Sequence, residues 1–223
     1  FSERKPYEYQ ITDTLTKTLT AKYSFFDCVK FYNALNADTA YTYVVNIAED
    51  PAEVKKMVEC YIGEGDTDGD GTDMTEIRKS EGIEAPINVE VWELGNESDS
   101  EGEGGWTVDN YIAKCKELIP AIRAVDPDAV IAVHEKSSQM GYDNQYEQNS
   151  YWHKQVLSEL GNDINYLVMH EYYPSDNIVT CLEKHVWRIE NDIKEITGNN
   201  KVKIYMSEHA NGKNVYGFGD NAW

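Results

Sequence analysis

Cysteine is scarce in this 223-residue sequence, and no two cysteines form a CxxC pair. Cys28, Cys60, Cys115 and Cys181 each fall in a predicted helix. That spacing supports neither a zinc site nor a small disulfide scaffold, and predicts buried free thiols. No 18-residue apolar run occurs, so no membrane-spanning helix is expected. Basic runs are absent as well. Lys and Arg number 20 against 40 acidic residues, a net charge of −20. This balance excludes nucleic acid as a partner, repels anionic polymers and favours a neutral substrate. No glycine-rich phosphate loop follows any predicted strand, which argues against a nucleotide-binding open sheet. The chain opens at FSERKPYEYQ with neither an initiator Met nor a signal peptide. We read it as the interior of a longer protein, which leaves the compartment open, extracellular being preferred slightly over cytoplasmic.

What is present is an α/β pattern. Hydrophobic residues make up 41% of the chain, enough for a sizeable core. Strands are predicted at 39–48, 88–94, 129–134, 164–170 and 202–207, and helices at 22–36, from Pro51 through Tyr61, at 107–123, 150–160 and 177–196. MTEIRKSEG forms a short helical turn. Residues 1–20, 63–73, 98–105 and 135–149 read as loops. The order βαβαβαβαβ specifies a parallel sheet with right-handed crossovers. Units of this length need roughly 300 residues to close eight strands. The expectation is therefore one segment of a (β/α)8 TIM barrel, with residues 1–223 as a single partial barrel domain.

Two stretches share a form. In VEVWELGNES, residues 89–98, a strand runs into a Gly95 turn and then Asn96-Glu97. In KVKIYMSEHANG, residues 201–212, a strand ends in Glu208. Parallel α/β folds place their chemistry just past the C-terminal ends of strands. About three βα units separate the two glutamates, so an eight-stranded barrel sets them across its mouth. Carboxylate pairs of this kind hydrolyse glycosidic bonds. The aromatic richness, with 16 Tyr and 5 Trp, suits a sugar-binding cleft as well as it suits core and surface filling. Trp92 alternates with its strand neighbours and is assigned to packing.

WELGNE closely resembles the acid/base motif of clan A glycoside hydrolases, in which the Asn-Glu pair ends barrel strand 4 and the nucleophile ends strand 7. The longer run TEIRKSEGIEAPINVEVWELGNE resembles the α-L-arabinofuranosidases of glycoside hydrolase family 51, as do YVVNIAEDPAEVKKMVEC, AVDPDAVIAVH and HEYYP. Heparanase-like family 79 enzymes share WELGNE and a His-x-Tyr-Tyr segment. The resemblance implies that the visible strands are barrel strands 3 to 7, and that strands 1, 2 and 8 come from sequence outside this chain. It implies Glu97 as general acid/base and Glu208 as nucleophile, in a retaining hydrolase of arabinofuranoside side chains, with no cofactor and no metal. Asn96 would meet the sugar 2-hydroxyl, Tyr172 the nucleophile, and His170 the floor of the site; Asn46 ends the first visible strand. One departure stands out. The family surrounds its nucleophile with Glu-Trp-Asn, and this chain has Glu208-His209-Ala210. A β-glycosidase or glucuronidase of the same clan, and a non-catalytic carbohydrate-binding barrel, are the alternatives. Oligomeric state is open.

DTDGDGTDMTEI resembles a calcium loop of the EF-hand or dockerin type at Asp66, Asp68, Asp70 and Gly71. Its twelfth position is Ile77 where a bidentate carboxylate belongs, so a loosely ordered, solvated acidic loop is expected.

Overall fold

A computed structural model describes residues 6–12, 15–20, 23–100, 104–136, 145–173, 182–198 and 201–211. Five strands form one parallel sheet: β3 (Tyr41–Val45), β4 (Val89–Leu94), β5 (Ile131–His134), β6 (Tyr166–Tyr173) and β7 (Lys203–Asn211). Their spatial order is their sequence order, as in the wall of a barrel. The helices alternate with them: α1 (Phe25–Ala34), α2 (Pro51–Ile62), α3 (Thr75–Ser80), α4 (Val108–Arg123), α5 (Gln145–Leu160) and α6 (Trp187–Thr197), the last continuing a π-helical turn at Leu182–Val186.

The sheet is curled. Flat strands stand about 4.8 Å apart, so β3 and β7 would lie about 19 Å from one another in an open sheet. Instead the Thr42 hydroxyl of β3 is 3.1 Å from the Tyr205 hydroxyl of β7. The architecture is thus a partial (β/α) barrel, as expected. One face of the strands carries Val45, Trp92, Leu94, Ile131, Val133, Leu167 and Met169, all packed in the core beneath the helices. Trp92 is buried there, donating through Nε1 to Asp126 at 3.0 Å. The opposite, inward face becomes polar toward the C-terminal ends: Glu93, His134 and His170 are each 3% exposed or less.

Local chemistry fixes the helix starts. Ser24 and Asp27 form a reciprocal capping box on α1, Asp50 caps α2 ahead of Pro51, and Thr107 caps α4. At Gly198, φ is 64°, the left-handed conformation that ends α6.

Three expectations are corrected. Residues 6–20 are not all loop: β1 (Pro6–Thr12) pairs antiparallel with β2 (Leu15–Thr20). Threonine and tyrosine favour strands, and that propensity outweighed the polar composition. Helix α5 starts at Gln145, five residues before the predicted start, so polar residues extend its first turns. Cys28 is exposed, because it lies on the outer side of α1, whereas Cys60 and Cys115 are buried. Burial pushes the Cys60 thiol up to about 11 and that of Cys115 to about 12. Cys181 lies outside the described residues.

The acidic loop is largely exposed, as expected of a solvated loop, and one buried carboxylate gathers its amides. The Glu59 carboxylate, 1% exposed, accepts the Thr67, Asp68 and Met74 amides. Lys55 Nζ sits 2.6 Å from Asp68.

Candidate active site

Glu97 hangs from a strained turn. At Gly95 φ is 84°, and a Cβ there would collide with Ser98 Oγ and come within 3.3 Å of Ile47 Cβ, so only glycine fits. Glu97 itself has φ 40°, a left-handed backbone rare for a residue with a side chain. The turn is held by Gly95 N donating to Val45 O at 2.9 Å and Ser100 N to Glu97 O at 2.8 Å. From α4, the buried Tyr111 hydroxyl donates to Leu94 O at 2.7 Å and accepts from His134 N at 2.8 Å, tying the ends of β4 and β5 together.

Glu208 reaches the same place through a bulge. Met169 pairs with Met206, but His170 pairs with Glu208, so Ser207 is an extra residue on β7. Regular alternation would send Ser207 and Glu208 to opposite faces. The bulge turns both toward His170. Its Nε2 is 2.9 Å from Ser207 Oγ, and its Nδ1 is 3.0 Å from Glu97 Oε1 and 3.8 Å from Glu208 Oε2. Oxygens of Glu97 and Glu208 and a ring nitrogen of His170 lie within 4.8 Å of one another.

The structure therefore brings three of the sequence-predicted residues together: Glu97, Glu208 and His170. Asn96 is half-buried in the Glu97 turn. Asn46 is exposed and spends its side-chain oxygen on the Ala48 amide at 3.1 Å, a local turn contact. Tyr172 sits on β6 opposite Ala210, and its side chain lies outside the described residues.

Sequence reasoning missed the layer beneath. Glu93 Oε1 is 2.9 Å from His134 Nε2 and 3.4 Å from Ser207 Oγ. The His134 and His170 rings stand edge to face, centroids 5.1 Å apart. A readable signal existed: both histidines end predicted strands. Beside this layer, Glu171 meets His185 Nδ1 at 3.0 Å. The buried Glu135 carboxyl is pushed well up by desolvation and then by the negative charges of Glu171 and Asp99. Among the described residues, three groups are close enough to share a cation: Glu93 with His134 and His170, Glu97 with His170 and Glu208, and Glu59 with Asp66 and Asp68. Each already contains hydrogen-bonded members, so none needs an ion to satisfy it.

No family model matches the chain. An exo-α-(1→6)-L-arabinofuranosidase of Bifidobacterium longum is 27% identical over 104 residues, covering 46% of this chain and 19% of the relative. An intracellular exo-α-(1→5)-L-arabinofuranosidase of Acetivibrio thermocellus is 30% identical over 105 residues, 46% of this chain and 20% of the relative. The α-L-arabinofuranosidase of Thermotoga maritima, solved as an arabinose complex, superposes with a TM-score of 0.69 at 20% identity, over 86% of this chain and 39% of that one. The chain resembles the family 51 α-L-arabinofuranosidases of glycoside hydrolase clan A. A second family 51 structure, from Thermotoga petrophila, gives a TM-score of 0.65 at 21% identity, over 82% of this chain and 37% of that one. This family 51-like chain thus spans well under half of the solved barrels, and its matched stretch about a fifth of the curated relatives.

Proposed function

We propose that residues 1–223 form one partial catalytic barrel domain of a retaining glycoside hydrolase that cleaves α-L-arabinofuranosides from polysaccharide or oligosaccharide side chains. Glu208 attacks the anomeric carbon, and Glu97 protonates the leaving oxygen and then deprotonates the incoming water. Asn96 and Tyr172 serve the sugar 2-hydroxyl and the nucleophile. The remaining barrel strands come from sequence outside the chain.

The observation that carries this reading is the closeness of the Glu97 and Glu208 oxygens, within 4.8 Å, at the ends of β4 and β7. Double displacement needs carboxyl groups about 5–5.5 Å apart, whereas inversion leaves about 6.5–9.5 Å for a water. The curated relatives named above are arabinofuranosidases, which supports the choice of sugar.

Chromogenic glycosides offered to the full-length protein test it. Arabinofuranoside should turn over with retention. Glu208→Ala should abolish turnover of every substrate. Glu97→Ala should cost about 10²–10⁴-fold on poor leaving groups and far less on activated ones, with azide restoring the second step. Preference for a glucuronide would replace the substrate. Equal, modest losses in both variants would remove the mechanism.

A further inference from the structure

Glu93 is 2% exposed and takes no part in the reaction as proposed above, yet it sits under both glutamates. Its Oε1 receives His134 Nε2 at 2.9 Å and Ser207 Oγ at 3.4 Å. Ser207 Oγ is also 2.9 Å from His170 Nε2, and His170 Nδ1 is 3.0 Å from Glu97 Oε1. A chain of contacts therefore runs from the barrel interior to the mouth: Glu93, Ser207, His170, Glu97.

We propose that Glu93, acting through Ser207, locks His170 as the Nε2-protonated tautomer, so that Nδ1 accepts a hydrogen bond from a protonated Glu97. The inference rests on the reading of Glu97 as acid/base and assigns positioning roles to Glu93, Ser207 and His170.

The argument is a proton count. The Ser207 hydroxyl is the donor to Glu93 Oε1, and a carboxylate oxygen accepts it. Ser207 has a single hydroxyl proton. When it points to Glu93, only oxygen lone pairs face His170, so Nε2 must supply the proton there. The lock proposed here takes the imidazole as neutral; it then carries one N–H, which leaves Nδ1 as an acceptor. Two acceptors 3.0 Å apart repel, so a proton must lie between Nδ1 and Glu97 Oε1, and Glu97 must bring it. Glu208 stands farther off, at 3.8 Å. The same ring thus separates the two carboxyls: the nearer one holds the proton, as a general acid must, and the farther one is left to attack. The His134 ring, edge to face with that of His170, keeps the imidazole plane from turning.

Among the described residues, the titratable groups facing His170 are Glu93 and Glu97 from β4 and its turn, His134 from β5, and Glu208 from β7. Glu171, next on β6, is turned to His185.

The test uses full-length protein labelled with ¹⁵N-histidine. The His170 ring nitrogens, assigned by loss of their signals in His170→Gln, should show the neutral Nε2–H pattern. Ser207→Ala is the diagnostic variant, because the site is only partly buried and the change is small. Without the hydroxyl, His170 can protonate Nδ1 and donate to an ionised Glu97. The nitrogen pattern should switch, and the high-pH limb of the kcat/KM profile should move down by about one pH unit. Ser207→Thr, which keeps the hydroxyl, should restore both. An imidazolium or Nδ1–H pattern in the unsubstituted protein would overturn the proposal, and so would an unchanged pattern and profile in Ser207→Ala. Full activity in Glu97→Ala would instead sink the acid/base reading, and the nitrogen pattern of Ser207→Ala would still decide the lock separately.

Discussion

The His153 imidazole meets the Asp192 carboxylate at 2.8 Å where α5 packs on α6, and both groups are buried. Tyr146 donates to the same Asp192 oxygen at 2.5 Å. Burial pushes His153 below its ordinary 6.5, and the Asp192 contact only partly offsets this. The unfolded chain therefore binds that proton more tightly than the folded one. The stability due to His153 is complete above pH 6.5 and falls away as the pH drops below it. For Asp192, burial acts upward, but the hydrogen bonds from His153 and Tyr146 prevail and hold it below 3.8. Its contribution is lost at still lower pH, in the same direction. Urea unfolding between pH 7.5 and pH 5 should show stability declining with acid. His153→Gln, which keeps a donor but does not titrate, should flatten that slope; an identical slope in the variant would refute the account.

Arg78 should be costly to remove although it lies outside the site. Its guanidinium, 1% exposed, donates to Cys60 O, Tyr61 O and Gly63 O at the end of α2 and to Ile83 O and Glu84 O beyond α3. Alanine would strand several buried carbonyls. A loss on the order of 3–4 kcal/mol is expected in denaturant unfolding. Lysine, with three donors in place of a planar fork, should recover only part of it. A change below about 1 kcal/mol for Arg78→Ala would show that water replaces the guanidinium.

The acidic loop should be indifferent to calcium. Asp66, Asp68 and Asp70 each accept a loop amide, from Gly71, Asp70 and Thr72 respectively, and the Lys55 ammonium already supplies a positive charge at Asp68. That contact holds the Asp68 carboxyl below its usual range. Melting temperatures in chelator and in millimolar calcium should coincide. A calcium-dependent rise would mean that the ion displaces Lys55.

The parallel order and the strand-end glutamates were legible because each rests on local pattern: apolar runs of strand length, helix caps, and a glycine where the chain must turn. Glu97 could be placed from Gly95 and the end of β4 alone. The approach of Glu208 to His170 was legible only in outline. It depends on one extra residue in β7, and a bulge leaves no mark in a run such as KIYMSEHAN. The position of Glu93 was hidden for another reason. Within VEVWEL it alternates like any polar strand residue, and only the curl of the sheet turns it inward to meet His134 and Ser207. The hairpin at 6–20 was missed because polar strands lack the apolar rhythm by which strands are recognised.

On the acid/base role proposed above, the left-handed backbone at Glu97 sets fold and chemistry against each other at a single residue. A side chain held at φ 40° costs about 1–3 kcal/mol, a strain that the β4 turn must carry whether or not the carboxyl is there. Glu97→Ala keeps that strain and loses the acid. Glu97→Asn, whose short amide side chain suits the left-handed region, loses the acid while easing the strain. A Glu97→Asn variant that is slowed on poor leaving groups yet melts later than the parent protein is the outcome this turn favours, and with the proposed acid/base role it would mark residue 97 as a place where catalysis has been kept at the expense of the fold.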